Sequence, residues 1–197
     1  MAKKRNVIYG RPLGLFFRSL QAGRRAGGLS TGPILAAYFG NVRSLMEYGS
    51  LIWGGAAKTH LERLEKIQHK FLLWLAFHIQ TVNLPSSMTY SDLLEHFKVS
   101  SLASRRQQFD ILFVHKIIMG RVDSARLLGD MPLHVPSRVT RAAKTQLIHV
   151  SFARVETVKR GLFTRAVQHF NRFVSSSPDA DPFKRSFGVF RSRVVVV

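Results

Sequence analysis

Basic side chains are the residues of this chain whose type and spacing point most directly to chemistry. The 197 residues include 30 Lys and Arg against 11 Asp and Glu, a formal net charge of +19. Lysine and arginine side chains bind phosphate groups, and arginine often does so through two parallel hydrogen bonds. This surplus favours a polyanionic partner, and nucleic acid is the commonest polyanion for a basic helical protein.

Three groups of cations are candidate contacts with a phosphate backbone. Two adjacent arginines and two lysines one turn apart lie in predicted helices, and a third group lies in a Pro-containing segment that we predict to be extended. The candidate nucleic-acid-binding residues are Lys66, Lys70, Arg105, Arg106, Arg138, Arg141 and Lys144.

Each group also has a purely structural interpretation. Arg106 and Asp110 have the i,i+4 spacing of a helical ion pair, so phosphate binding and pairing both stay open for this arginine. For Lys66 and Lys70 we favour an ordinary solvated helix face. The extended basic segment could instead stabilise helix C-termini, whose carbonyl groups attract cations.

Metal and nucleophile chemistry find little support in the sequence. The chain has no cysteine, which excludes a disulfide framework, a zinc finger and a thiolate nucleophile. His60, His69 and His78 are nine residues apart, and no histidine pair has the i,i+4 spacing of a helical zinc site. Ser50 lies outside any nucleophile-elbow motif. We therefore expect no metal site and no cofactor.

A membrane partner is the rival to nucleic acid for so basic a chain. No apolar run approaches the roughly 18–20 residues that a membrane span needs. Binding to an anionic membrane surface would need an amphipathic anchor or a lipidation signal. Residues 1–46 contain eight Lys or Arg and no acid. That composition is also typical of a mitochondrial presequence.

The elements that carry these residues are predicted to be helices. Apolar residues recur at helical spacing nearly throughout, so we expect an all-α fold: an irregular, thumb-like helical bundle with an extended basic segment near 135–145 and a weakly ordered C-terminal part. The predicted segments are 1–30, 31–130 and 131–197. Three apolar faces define the longest helices: Leu35, Tyr38, Phe39, Val42, Leu45 and Met46; Leu61, Leu64, Gln68, Phe71, Leu72 and Leu75; Leu102, Phe109, Leu112, Phe113 and Ile117.

Cap and breaker residues predict where the helices begin and end. Ser30 or Thr31 begins the first of them, and Ser100 or Ser101 begins the third, which ends at Gly120. Asp123 is predicted to cap a short helix that reaches Leu128. A last long helix is expected over 158–173.

Seven pieces of the sequence, in order, resemble one protein family. They are Leu13–Arg18, Val42–Trp53, His60–Leu72, Tyr90–Leu94, Ser101–Arg106, Asp110–Gly120 and Val135–Arg141. Their wording is similar to the region after the palm in reverse transcriptases of non-LTR retrotransposons, and the jockey-like group is the nearest. The resemblance covers residues 11–145 well and weakens beyond about residue 150.

The resemblance implies a thumb without its catalytic centre. A thumb holds the RNA–DNA duplex by charge and shape, whereas the Mg²⁺ ions belong to an adjacent aspartate pair in the palm. No two of the six aspartates here are adjacent. We therefore expect a nucleic-acid-binding fragment of an RNA-directed DNA polymerase that is not itself an enzyme. Its expected partners are the RNA or DNA backbone and the missing palm and fingers, and the expected location is cytoplasmic and nuclear.

Two further expectations accompany this interpretation. The apolar face that normally contacts the palm would be uncovered, which favours self-association of the isolated chain. The alternative function is a stand-alone basic helical adaptor that binds nucleic acid, in mitochondria if the acid-free N-terminal segment is a presequence.

Overall fold

The structure is a computed structural model of the 197-residue chain, and it describes residues 30–79, 88–135, 147–150, 152–176, 182–183 and 186–196. These residues are mostly helical and form no β-strand; one isolated antiparallel bridge joins Leu133 and Ile148. The prediction of an all-α fold is confirmed. Most of the predicted extended segment, residues 136–146, lies outside the described residues.

Ten α-helices and one π-helical turn follow one another along the described residues. They are α1 (Thr31–Tyr38), the π-helical turn (Phe39–Arg43), α2 (Ser44–Glu47), α3 (Ser50–Trp53), α4 (Lys58–Ile79), α5 (Tyr90–His96), α6 (Leu102–Ile118), α7 (Ala125–Gly129), α8 (Glu156–Lys159), α9 (Leu162–Ser176) and α10 (Phe187–Val196).

The chain forms two compact units that are not continuous in sequence. The first unit comprises Met1–Tyr48 and Leu64–Val99, and the second comprises Gly49–Arg63 and Ser100–Val197. The units group the chain differently from the three linear segments expected from composition. Each unit is described below by itself.

The first unit buries a face with four-residue spacing along α1, the π-helical turn and α2. Its buried residues are Ile34, Tyr38, Val42 and Met46. A π-helical turn is wider than an α-helical one, so residues four apart stay on the same side through it. For this reason Phe39 and Leu45, which the sequence placed on the buried stripe, are exposed.

The predicted face of α4 packs in the core of the first unit. Gln68, Phe71, Leu72 and Leu75 are fully buried. The ring of Tyr38 stacks on Phe71 with centroids 3.8 Å apart and planes within 6°. Gln68 interrupts the apolar face because its amide bonds two tyrosine hydroxyls, one from Tyr38 and one from Tyr90.

Helix ends in the described residues follow capping chemistry with two differences from expectation. The Ser101 hydroxyl accepts a hydrogen bond from the Ser104 backbone N–H, and the chain leaves α6 at Gly120, whose φ is +64°. Ser30 precedes α1 but makes no side-chain cap bond. The short helix α7 is capped by Ser124, not by Asp123, because the Ser124 hydroxyl accepts from the backbone N–H three residues on.

The second unit is built around α6, which packs against both α9 and α10. Its buried core consists of Ile111, Val114, Ile117, Met131, Ile148, Ala166, Val167, Phe170, Phe173, Phe190 and Val194. Of the predicted apolar face of α6, Leu102 and Ile117 are buried, Leu112 and Phe113 are half-buried against the core, and Phe109 is half-buried. The face was incomplete, because packing on two sides also turns Ile111 and Val114 inward.

The C-terminal part supplies much of this second core. The helix predicted over 158–173 is divided into α8 and α9, with Arg160 and Gly161 between them. Glycine has a low helix propensity, which suits a break at this point. Phe170 on α9 and Phe190 on α10 are fully buried, so both helices belong to the core.

Candidate nucleic-acid interface

Lys66 and Lys70 are exposed on α4, one turn apart and on the first unit. The face that α4 buries is formed by Gln68, Phe71 and Leu72. Both ammonium groups are therefore accessible to an anion. Whether they bind one stays a prediction.

Arg105 and Arg106 are half-buried on α6 in the second unit. The Arg105 guanidinium carbon lies 4.7 Å from the centroid of the Phe109 ring, a cation–π contact one turn along the helix. Asp110 does not pair with Arg106, because its carboxylate is bound by Arg165 and His169. The ion pair considered for Arg106 is therefore wrong.

Arg138, Arg141 and Lys144 lie outside the described residues. Their assignment as phosphate contacts stays a prediction. The structure therefore gives the surroundings of only two of the three cation groups, those on α4 and α6.

The structure assembles an ionic cluster that the sequence did not reveal. Arg165 donates two hydrogen bonds to Asp110, from Nε to Oδ2 at 2.8 Å and from Nη2 to Oδ1 at 3.1 Å. The carboxylate side chain is 2% exposed and the arginine side chain 13%. Planar bidentate pairing is the arrangement in which a guanidinium best compensates a buried carboxylate.

The same guanidinium ties three parts of the second unit together. Its Nη2 donates to the Leu51 carbonyl of α3 at 2.8 Å, and its Nη1 donates to the Arg160 carbonyl at 3.1 Å. Asp110 contributes the third part, from the middle of α6. Arg165 is therefore occupied in holding the fold.

His169 completes the cluster at the edge of the protein interior. Its Nδ1 lies 2.9 Å from Oδ2 of Asp110, and its side chain is 20% exposed. A carboxylate behind an imidazole is also found in hydrolytic triads, where Nε2 faces a nucleophile. Among the described residues Nε2 forms no hydrogen bond, so the pair has an orienting partner but no nucleophile.

A signal for this cluster was present in the sequence. Asp110 lies on α6 next to Ile111 and four residues before Val114, on the part of the helix that is buried. A carboxylate on a buried face requires a cationic or hydrogen-bonding partner. Sequence could indicate that need, but not that the partner lies 55 residues away on α9.

Next to the cluster the second unit has an open basic depression of about 480 Å³. It lies where the turn between α3 and α4 meets the turn between α8 and α9. Its charged lining consists of Lys58, Lys159, Arg160, Arg165 and one acid, Glu156. We call this surface the basic depression.

Two glycines allow the backbone approach that forms it. A Cβ on Gly55 would collide with the Arg160 carbonyl oxygen, and a Cβ on Gly54 would lie 3.2 Å from Nη2 of Arg165. Because no side chain fits between these turns, the two backbone segments lie close together. The cations of the lining lie around this contact.

Metal and membrane features are absent from the part of the chain that the structure describes. No three His, Cys, Asp or Glu side chains there are placed to hold a metal ion. No helix within those same residues is long and apolar enough to cross a membrane.

Comparison with known proteins gives no family assignment. No family model matches the chain, and no curated protein or solved structure matches it either.

Proposed function

We propose that this chain binds the phosphate backbone of RNA or DNA and does not itself catalyse a reaction. The observation that carries the proposal is the net charge of +19 on a helical chain. Exposed cations occur on helices of both units; among them are Lys66, Lys70, Lys116, Arg126, Lys159, Arg172 and Arg191. Such a surface attracts polyanions and is screened by salt.

The half-buried Arg105 supports the proposal in a second way. Its guanidinium lies over the Phe109 ring, so the side chain is already ordered before a ligand arrives. An ordered arginine loses less rotamer freedom when it binds a phosphate. This favours Arg105 over a fully mobile surface cation.

We further propose that the chain corresponds to the thumb and following region of a non-LTR retrotransposon reverse transcriptase. The seven sequence pieces between Leu13 and Arg141, which occur in the same order as in that family, support this part of the proposal. In the complete polymerase the thumb would hold the RNA–DNA duplex against a palm that carries the magnesium ions and the aspartates. The protein would then act in the cytoplasm and the nucleus.

A filter-binding titration against a DNA duplex at several salt concentrations tests the proposal. Each phosphate contact contributes about 0.9 to the slope of log K against log salt. Contacts from Lys66 and Lys70 predict that the double substitution Lys66→Gln/Lys70→Gln lowers the slope by about 1.8. His60→Gln, an exposed change on the same helix, is the matched control and leaves it unchanged.

Two results separate the general proposal from the assignment of these residues. A flat plot for the unaltered chain contradicts backbone binding altogether. A steep plot that the double substitution does not change keeps backbone binding and removes Lys66 and Lys70 from the interface.

A further inference from the structure

We propose that the basic depression of the second unit binds a phosphate group of a polynucleotide. This inference rests on the proposed function and assigns one part of it to a defined site. The depression brings together cations from α4 and from the α8–α9 turn, far apart in sequence. Neither the spacing of residues nor the candidate contacts on α4 and α6 indicated it.

The first argument is that donors at its rim are available. Arg160 donates through Nε to Glu156 at 2.9 Å, and its two terminal nitrogens bond no acceptor among the described residues. The Lys159 ammonium lies 4.0 Å from Glu156, and the Lys58 ammonium 3.8 Å from Glu62. Both lysine contacts exceed hydrogen-bond length, so the ammonium protons remain free for an incoming oxygen.

The second argument concerns charge. The depression is lined by four cations and by the single acid Glu156. The charge of Arg165 is neutralised by the buried carboxylate of Asp110. Arg165 therefore forms the floor of the depression and does not provide the charge that attracts a phosphate. The net positive charge at the opening comes from Lys58, Lys159 and Arg160, less that of Glu156 and of Glu62, which lies beside Lys58.

The third argument is shape and order. Gly54 and Gly55 bring one turn against the Arg160 carbonyl, which Nη1 of Arg165 also holds at 3.1 Å. The backbone that carries Lys159 and Arg160 is thereby fixed from both sides. Two neighbouring donors on a concave surface suit a compact anion such as a singly charged phosphodiester or a terminal phosphate.

The test compares two double substitutions that remove the same charge from the second unit. Lys159→Gln/Arg160→Gln removes two of the three available donors from the depression, whereas Arg126→Gln/Arg172→Gln removes exposed arginines from α7 and α9. In duplex titrations at several salt concentrations, the first variant is expected to lower the log–log slope by about 0.9, the contribution of one phosphate contact, and the second by less than half as much. Equal losses would overturn the inference, since the cations would then act as a diffuse surface.

Glu156→Gln provides a gain that misfolding cannot imitate. It removes the only acid of the lining and an exposed ion pair that contributes little to stability. We expect duplex binding to tighten about fivefold at low salt. Unchanged or weaker binding would count against the site, and so would tightening on anionic phosphatidylglycerol vesicles without tightening on DNA.

The two proposals fail in different ways. If the unaltered chain does not bind the duplex, backbone binding and the depression site are both wrong. The other failure has three parts: the affinity of the unaltered chain falls steeply with salt, Glu156→Gln binds like the unaltered chain, and Lys159→Gln/Arg160→Gln loses no more slope than Arg126→Gln/Arg172→Gln. In that case only the depression site is wrong.

Discussion

In the first unit Tyr38, Gln68 and Tyr90 form a neutral chain of hydrogen bonds, and its ion pair Arg43–Glu47 joins residues only four apart, whereas in the second unit the buried Asp110 is paired with a residue of another helix. The Tyr38 hydroxyl donates to Gln68 at 3.2 Å, and Gln68 donates to the Tyr90 hydroxyl at 3.1 Å. Tyr90 then donates to Glu65 at 2.7 Å, where the chain reaches a half-buried carboxylate. In the second unit Asp110 is almost fully buried and depends on Arg165 and His169.

The difference predicts how each unit responds to the loss of one group. Burial raises the pKa of Tyr38 and of Tyr90, and the hydrogen bond to Glu65 raises that of Tyr90 further, so both phenols stay neutral at ordinary pH. Removing one neutral partner leaves a dipole unpaired. Removing Arg165 leaves a buried carboxylate with only the His169 imidazole as its partner, which costs more.

The largest effect is expected for Arg165→Ala. The substitution leaves the Asp110 carboxylate buried without its bidentate partner and takes a donor from the Leu51 and Arg160 carbonyls. We expect the free energy of unfolding to fall by about 3–5 kcal/mol. Urea denaturation followed by circular dichroism measures the loss.

Arg172→Ala is the control for this change, because Arg172 is exposed on the same helix. It should alter stability by no more than about 0.5 kcal/mol. If Arg165→Ala cost less than about 1 kcal/mol, the ion pair would behave as a surface pair, and the contrast between the units would disappear.

Gly55→Ala is expected to have the next largest effect. The new methyl group would collide with the Arg160 carbonyl oxygen, which is backbone and cannot turn aside. Overpacking of this kind costs about 1–3 kcal/mol. Gly129→Ala on α7 meets nothing within 4 Å and should be neutral or slightly stabilising. Thermal unfolding of the two variants distinguishes a collision specific to Gly55 from a destabilisation that any Gly→Ala change would cause.

Acid should weaken the second unit through His115. This ring is fully buried and stacked on Phe190 with centroids 4.0 Å apart, and its Nε2 lies 3.2 Å from the Pro182 carbonyl oxygen. Burial lowers the pKa of His115, the bond to Pro182 opposes that change, and the nearby Arg121 adds to it. Lys116 and Arg121 lie over the Phe187 ring, whose centroid is 5.7 Å from that of the imidazole, so the charged groups described next to this ring pair are cations.

The sign follows from the lowered pKa. The unfolded chain takes up this proton near pH 6.5 and the folded chain at a lower pH, so the His115 contribution to stability is complete above pH 6.5 and is lost as the pH falls below it. The loss approaches about 1.4 kcal/mol per pH unit. Hydrogen exchange of α10 amides at pH 7 and pH 5.5 measures it. His115→Phe should remove most of this dependence; an unchanged profile would assign the acid sensitivity to other groups.

Sequence periodicity predicted the helices better than the faces they bury. The face of α4 was predicted correctly from Gln68 to Leu75, because a regular α-helix preserves the 3.6-residue pattern there. It failed around Phe39, where the π-helical turn changes the spacing, and at Phe109, where α6 packs on two helices at once. Both failures arise from packing against other elements, which the residue pattern of a single helix does not contain.

The candidate site shows the same division. Exposure of Lys66 and Lys70 follows from the position of each residue on its helix, and the sequence predicted it. The basic depression depends on two turns, about 100 residues apart, that glycines allow to meet. The Asp110–Arg165 pair likewise joins residues 55 apart. Local spacing carries no information about either contact.

The smallest of these effects is expected for Tyr38→Phe in the first unit. The ring keeps its stacking on Phe71, and only the hydroxyl that donates to Gln68 is lost. A neutral hydrogen bond contributes about 1 kcal/mol, so hydrogen exchange in α4 should accelerate about fivefold. A loss of unfolding free energy equal to that of Arg165→Ala would mean that the neutral hydrogen-bond chain is as sensitive to substitution as the ion pair. The contrast between the units would then lie in which residues they use and not in how strongly each residue is required.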